Sequence, residues 1–186
     1  MQNGPPDRRI AIVVAVGAAA CLGWNSNAGA QFSGPYAPAS WTLNPHGGDG
    51  SVITSGAPAT IVVIGNDNGQ PIINTDYTTT AAATGSWSFN WEIIPHDSGT
   101  YDAAYYLLNG SPIFIGYLFG GSGGVTNVAV QAGDVIGFRV WSADGAIGTL
   151  DLHVTNFSAP VPGPGGFIAV AAPCLLLARR RRSEGG

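Results

Sequence analysis

Ser86-Trp87-Ser88-Phe89-Asn90-Trp91-Glu92-Ile93 is the stretch that decides the fold. Large apolar side chains occupy every second position, and polar side chains fill the positions between them. Because successive side chains of a β-strand point to opposite faces, this period of two predicts a strand with one buried face. The same alternation recurs in residues 134–140 and 150–154.

Further runs of β-forming residues lie at 60–64, 103–108, 113–119 and 125–130. Gly-, Asn- and Asp-rich turns separate them, and no amphipathic helix interrupts the series. Seven or eight short strands with such turns predict an all-β fold, an antiparallel β-sandwich of the jelly-roll kind. The low-complexity stretch Thr78 to Thr84 predicts a loop or an edge.

The N-terminus has the three parts of a secretory signal. A basic region with Arg8 and Arg9 precedes an apolar run from Ile10 to Leu22, and a small-residue cleavage site at Ala28 and Ala30 follows. This order predicts a signal peptide over residues 1–30, with a helical apolar run that export machinery reads. The mature β-sandwich domain is then expected over residues 31–160.

The C-terminus combines a Pro/Gly stretch, an apolar run and a basic end. Val161-Pro162-Gly163-Pro164 precedes the apolar residues 167–178, and Arg179, Arg180, Arg181 and Arg182 follow. Twelve helical residues rise only about 18 Å, short of a ~30 Å hydrocarbon core, so a transient membrane anchor is expected. The positive-inside rule keeps the arginines cytoplasmic.

This tail resembles the PEP-CTERM sorting signal of bacterial surface proteins over residues 161–186. The resemblance implies a short transmembrane helix, export to the cell envelope or beyond, and processing by an exosortase-type enzyme. Gly163 stands where the family motif has Glu, which leaves tail cleavage open. Cys21 and Cys174 both lie in the terminal segments, so the mature domain is expected to fold without disulfides.

Charge excludes one class of partner. The whole chain carries −4, but residues 31–160 contain one base, Arg139, and nine acidic residues, which makes this stretch −8. Nucleic-acid binding needs clustered Lys or Arg, so it is excluded.

Catalytic patterns are weak. Gly120-Gly121-Ser122-Gly123-Gly124 satisfies G-x-S-x-G but lacks a following helix, so a flexible glycine loop is expected. His153 is predicted to face solvent, while His46 and His96 follow prolines and are expected to decorate turns. A secreted carbohydrate-active hydrolase using Glu92 and a nearby aspartate stays as the alternative to a non-catalytic protein.

Three acidic elements resemble the CUB sandwich: an aromatic strand ending at Glu92, the Tyr101-Asp102 step, and the Ser142-Ala143-Asp144 loop. The resemblance implies a Ca²⁺ site at one end of the sandwich, with Glu92, Asp102 and Asp144 as ligands and Asp97 nearby. Carboxylate and carbonyl oxygens are the ligands that Ca²⁺ takes. CUB cysteines are absent, and Ala143 interrupts the Ser-Asp pair.

Aromatic side chains offer a second kind of site, because Trp and Tyr rings stack on saccharides. The available ones are Tyr101, Tyr105, Tyr106, Tyr117 and Trp141. The sequence therefore predicts an exported, non-catalytic binding or structural module of the bacterial surface or extracellular matrix. Extracellular polysaccharide is the expected partner, with calcium as the candidate cofactor.

Overall fold

The computed structural model describes residues 31–96, 102–117 and 119–163. Within these ranges two short 3-10 helices, Gly34–Tyr36 and Pro38–Ser40, precede ten strands. The strands are β1 (Thr42–Asn44), β2 (Ser51–Ile53), β3 (Thr60–Ile64), β4 (Ile73–Thr80), β5 (Gly85–Pro95), β6 (Asp102–Leu108), β7 (Ser111–Tyr117), β8 (Gly121–Val130), β9 (Val135–Ser142) and β10 (Leu150–Ser158).

The strands form two five-stranded antiparallel sheets. The front sheet has the order β1-β4-β9-β6-β7, and the back sheet has the order β2-β3-β10-β5-β8. Strands β3 to β10 follow the strand order of a jelly roll, and β1 and β2 each extend one sheet. The predicted antiparallel β-sandwich is confirmed.

Both predicted flanking helices fall outside the described residues. Among those that are described, no helix is long and apolar enough to cross a membrane.

The alternation that predicted β5 holds in the structure. Trp87, Phe89 and Ile93 are buried between the sheets, whereas Asn90 and Glu92 are exposed. Strands β9 and β10 bury alternate residues in the same way. Hydrophobic burial on one face of each sheet therefore sets the register of the sandwich.

Aromatic rings fill much of the core, and some come from the segment before β1. Trp41 stacks on Tyr77 at 4.9 Å between ring centroids, and Phe32 stacks on Phe157 at 4.7 Å. The fully buried Tyr36 donates a hydrogen bond to the Pro160 carbonyl at 2.6 Å and accepts one from the Ala82 N–H at 2.9 Å. The segment after the predicted signal peptide is thus part of the core.

The glycine run is a strand, so the prediction of a flexible loop was wrong. Residues 121–124 belong to β8 and pair with β5. The Trp91 ring explains the glycines, because a Cβ placed on Gly123 would lie 2.9 Å from Trp91 Cζ2. Small residues therefore let the indole pack against the β8 backbone.

The prediction for Thr78 to Thr84 was also wrong in part. Thr78, Thr79 and Thr80 belong to β4, which pairs with β1 on one side and β9 on the other, so β4 is not an edge. Threonine is β-branched and fits a pleated strand even where its polarity resembles that of a loop.

Candidate functional site

The outer face of the front sheet, called here the front face, carries two rows of side chains that cross four strands. These side chains lie on the outer side of the sheet because their neighbours along each strand, such as Val140 and Ala104, belong to the core. Two residues of the outer rows, Ala103 and Asp76, are themselves buried. From β4 through β9 and β6 to β7, one row is Asn74, Trp141, Ala103 and Tyr117, and the other is Asp76, Arg139, Tyr105 and Phe114. Four strands spaced ~4.8 Å apart make this face about 14 Å wide.

A β-bulge in β7 lets both of its aromatic residues share this face. Ala104 pairs with Gly116, but the next residue, Tyr105, pairs with Phe114, so β7 contains one extra residue. Ile115 packs against the core, and a Cβ on Gly116 would meet buried Ile93 at 2.6 Å. Two consecutive residues therefore face inward, which returns Tyr117 to the outer side.

An ion-pair cluster occupies the β4 side of the front face. Arg139 binds Asp76 through two hydrogen bonds, Nε to Oδ1 at 2.6 Å and Nη2 to Oδ2 at 2.7 Å. His46 Nε2 lies 2.9 Å from Asp76 Oδ2. The side chains of Arg139 and Asp76 are only 19% and 12% exposed. Such short, paired bonds to a mostly buried carboxylate fix the plane of the guanidinium.

The hydrogen bonds to Asp76 raise the pKa of Arg139, and partial burial opposes this rise. Arg139 is therefore a permanently charged group in this site.

A cleft of about 290 Å³ opens on the front face beside this cluster. Its described lining residues are Asn74, Tyr105, Pro112, Arg139 and Trp141. Two aromatic rings and a proline provide apolar surface, while an amide and a guanidinium provide hydrogen bonds. Binding sites for small organic ligands have this composition, mostly apolar with a few polar groups that orient the ligand.

The aromatic surface continues from the cleft to the edge strand. The Tyr105 ring lies 5.7 Å from the Phe114 ring, which lies 4.4 Å from the Tyr117 ring. Phe114 is 46% exposed and Tyr117 is 49% exposed. Burial raises the pKa of the Tyr105 hydroxyl, so this group stays protonated and can donate a hydrogen bond.

The aromatic residues expected to stack on saccharides have different positions. Tyr105, Tyr117 and Trp141 share the front face, as a stacking site requires. Tyr106 faces the core and packs edge-on against Trp87 and Phe89, so it cannot contact a ligand on this face. Tyr101 lies outside the described residues.

The polar half of the site was missed by sequence reasoning, which noted Arg139 only as the single base of residues 31–160. Asn74 and Asp76 lie on β4, which was not predicted as a strand. His46 was expected to decorate a turn, and the structure instead places its ring on Asp76. Asn74, Thr75 and Asp76 are all polar, so no hydropathy alternation marks this part of β4 in the sequence.

The proposed calcium ligands lie on different elements. Glu92 is exposed on the back sheet, whereas Asp102 is buried at the start of β6 in the front sheet. Asp144 follows β9, where its carboxylate accepts the Ala146 N–H at 3.2 Å. Asp97 lies outside the described residues, and within them no three His, Cys, Asp or Glu side chains are grouped to hold a metal. Calcium binding stays a prediction from the CUB resemblance.

The hydrolase alternative required Glu92 and an aspartate on opposite walls of a cleft. Glu92 instead pairs with His153 and Ser122 on the outer face of the back sheet, away from the cleft on the front face. The nearby Asp151 carboxylate is engaged by His96 at 3.0 Å and by Thr149 at 3.1 Å. Ser122 lies within strand β8, not on the strand-to-helix turn that a nucleophile elbow needs.

Neither a protein-family model nor a curated protein sequence matches the chain. Among solved structures, one match is TmCBM61 in complex with β-1,4-galactotriose, at 12% identity and a TM-score of 0.38, covering 72% of this chain and 94% of that one. The family 35 carbohydrate-binding module from Cellvibrio japonicus Abf62 matches at 13% identity and a TM-score of 0.37, covering 66% and 100%.

A third match is the N-terminal cellulose-binding domain of Cellulomonas fimi β-1,4-glucanase C, at 13% identity and a TM-score of 0.39. It covers 73% of this chain and 95% of that one. At these identities and TM-scores the likeness assigns the chain to no family and transfers no ligand to it.

Proposed function

We propose that this protein is a non-catalytic glycan-binding module, exported by a bacterium to its cell envelope or extracellular matrix, and that the front face holds the glycan. The observation that carries the proposal is the cleft itself. It combines the half-buried ring of Trp141, the Tyr105 ring and the fixed guanidinium of Arg139 on one rigid sheet.

Sugar rings match this arrangement chemically. A pyranose has a C–H-rich face and a rim of hydroxyl groups. The negative face of an aromatic π-system attracts polarised C–H groups, and a flat ring gives a large contact area at little conformational cost. Trp141 has Asn74 and Ala103 as cross-strand neighbours, both small, so its ring is not flanked by bulky side chains in its row.

Polar groups beside the rings serve the hydroxyl rim. Arg139 donates hydrogen bonds, and the Asn74 amide both donates and accepts them. The aromatic residues Phe114 and Tyr117 extend the surface toward β7, so a chain of several sugar units can lie across the strands. Placement of these groups on strands rather than loops favours a preformed site.

The exported setting rests on the order of the terminal segments, with a signal peptide over residues 1–30 and a PEP-CTERM-like tail over residues 161–186. The end of the packed domain supports this division. Ala159 and Pro160 are buried, whereas Pro162 and Gly163 are exposed, so burial of the described chain decreases at the start of the Pro/Gly motif. We propose that the export machinery and an exosortase-type enzyme act on these segments.

Affinity electrophoresis against a panel of neutral and acidic polysaccharides tests the binding function. At least one polysaccharide should retard the wild-type protein, and Trp141→Ala should weaken this retardation at least about tenfold because aromatic anchors dominate such sites. Asn90→Ala, which removes an exposed, uncharged side chain on the opposite sheet, is the matched control and should bind normally.

The proposal is wrong if no polysaccharide retards the protein, or if Trp141→Ala binds like the wild type while keeping its melting temperature. Release of new reducing ends from a bound polysaccharide would instead support the hydrolase alternative.

A further inference from the structure

Within the described residues, the hydrogen bonds of Arg139 occupy one edge of its guanidinium and leave a second edge unbonded. Asp76 takes the side edge, through Nε and Nη2. An arginine has five N–H donors in one plane, so these two bonds leave both N–H groups of Nη1 and one of Nη2. No other hydrogen bond to this guanidinium occurs within the described part of the chain. The end edge, with one N–H from Nη1 and one from Nη2, is a two-pronged donor beside the cleft.

Two kinds of ligand group fit such a fork geometrically. A carboxylate places two oxygens at the right spacing, and so do two hydroxyl oxygens on adjacent sugar carbons. Geometry alone therefore does not choose between an acidic glycan and a neutral one.

Charge makes the choice. The Asp76 carboxylate already neutralises Arg139, and Asp76 and Arg139 are both largely buried, so their interaction is weakly screened. His46 is the other titratable group that contacts Asp76, and Tyr105 interacts electrostatically with Arg139. A ligand carboxylate would add a second anion to a neutral pair, in a stretch that has Arg139 as its single base against nine acidic residues. Two hydroxyl groups add no charge.

We propose that Arg139 makes the front face selective for neutral glycans that present two adjacent hydroxyl groups, over glycans that present a carboxylate. This specificity rests on the proposed glycan-binding function. Asp76 acts as a positioning residue, because it holds the guanidinium plane and cancels its charge without itself contacting the sugar.

Matched ligands separate charge from shape. Neutral hexose oligosaccharides of gluco, galacto and manno configuration are compared with forms of the same length in which the C6 hydroxymethyl groups are oxidised to carboxylates. Isothermal titration at pH 8, where histidine side chains are generally neutral, measures both affinities at low and high salt. For at least one configuration, the neutral form should bind at least about tenfold more tightly than its oxidised form. Added salt should reduce this ratio of affinities, because it screens the repulsion between the ligand carboxylates and the acidic domain.

Two variants test the mechanism. Arg139→Lys keeps the charge but removes the fork, so it should lower the affinity for the neutral ligand about tenfold. Asp76→Asn removes the local negative charge, so it should raise the affinity for the oxidised ligand relative to the neutral one. Asp67→Asn is the matched control, since it changes the net charge of the protein by the same amount at an exposed loop residue outside the cleft lining and should leave the ratio unchanged.

Melting temperatures show whether each variant is folded. If Asp76→Asn does not fold, the wild-type affinity ratio and Arg139→Lys still decide the question. Equal or tighter binding of the oxidised ligand, or wild-type affinity in Arg139→Lys, would overturn the selectivity while leaving glycan binding intact. Binding of neither ligand series in any configuration would overturn the proposed function itself.

Discussion

Tyr36 joins three distant parts of the chain through one buried hydroxyl group. It donates to the Pro160 carbonyl at 2.6 Å and accepts from the Ala82 N–H at 2.9 Å, and the residue is fully buried. Tyr36→Phe removes only the oxygen. The ring can still pack edge-on against Phe157 at 5.6 Å, so the substitution isolates the two hydrogen bonds.

Both backbone groups lose their partner in this variant. A buried backbone group without a hydrogen bond costs about 1–3 kcal/mol, so the two together should lower the free energy of unfolding by roughly 2–6 kcal/mol. For a domain of this size one kcal/mol corresponds to about 3–5 °C in melting temperature, which gives an expected fall of roughly 6–30 °C.

Urea unfolding followed by tryptophan fluorescence measures this change. Tyr117→Phe is the matched control, because that residue is 49% exposed, and it should stay within about 0.5 kcal/mol of the wild type. A Tyr36→Phe protein as stable as the Tyr117→Phe protein would refute the reasoning, since the Tyr36 hydroxyl could then not be the partner of both groups.

Three further outcomes are expected. Burial raises the pKa of Tyr36, Tyr77 and Tyr105, so these hydroxyl groups ionise at lower pH in the unfolded chain than in the folded one. The urea midpoint should therefore fall as the pH rises above about 10. A constant urea midpoint from pH 8 to 11 would contradict the burial of these three tyrosines. Gly123→Ala should destabilise the protein by about 1–3 kcal/mol in thermal unfolding because its Cβ meets the Trp91 ring. Gly124→Ala should cost less, since its Cβ meets only the end of the exposed Asn90 side chain, and equal losses would refute the packing argument. Hydrogen bonds from the Gln131 N–H and the Asn109 amide lower the pKa of Asp134, so the contribution of Asp134 to stability is lost as the pH falls below the ordinary carboxyl range. Asp134→Asn should therefore make the free energy of unfolding less dependent on pH in acid. An unchanged pH dependence of unfolding in this variant would contradict the role of these hydrogen bonds.

The sequence predicted the strands whose inward residues are large and apolar. Trp87, Phe89 and Ile93 mark β5 so clearly that its buried face follows from their alternation alone. Strand β4 was not predicted because two of its inward residues, Thr75 and Thr79, are buried but polar. Hydropathy alternation does not report such positions, since their burial depends on partners elsewhere in the fold.

The front face was only half predictable for a related reason. Of the five aromatic residues that the sequence offered for stacking, three share the front face, namely Tyr105, Tyr117 and Trp141. The pairing of Asp76 with Arg139 joins residues 63 positions apart, and it exists only because β4 and β9 are neighbours in the sheet. Spacing along the chain carries no record of that contact.

The extra residue in β7 shows that the edge of the front sheet tolerates a change in strand length that its interior strands do not. Strand β9, which carries Arg139, pairs with β4 and β6. A change in the register of β9 would therefore separate Arg139 from Asp76 and break the ion-pair cluster. Within the described residues, strand β7 pairs with β6 alone, and it already contains one extra residue at Ile115. Insertions or deletions in β7 can therefore replace or reorient the aromatic residues Phe114 and Tyr117 while the ion-pair cluster of Asp76 and Arg139 stays in place. For the proposed glycan binding, the aromatic edge at β7 is therefore the part of the site that can vary, and Asp76 and Arg139 are the part that stays fixed.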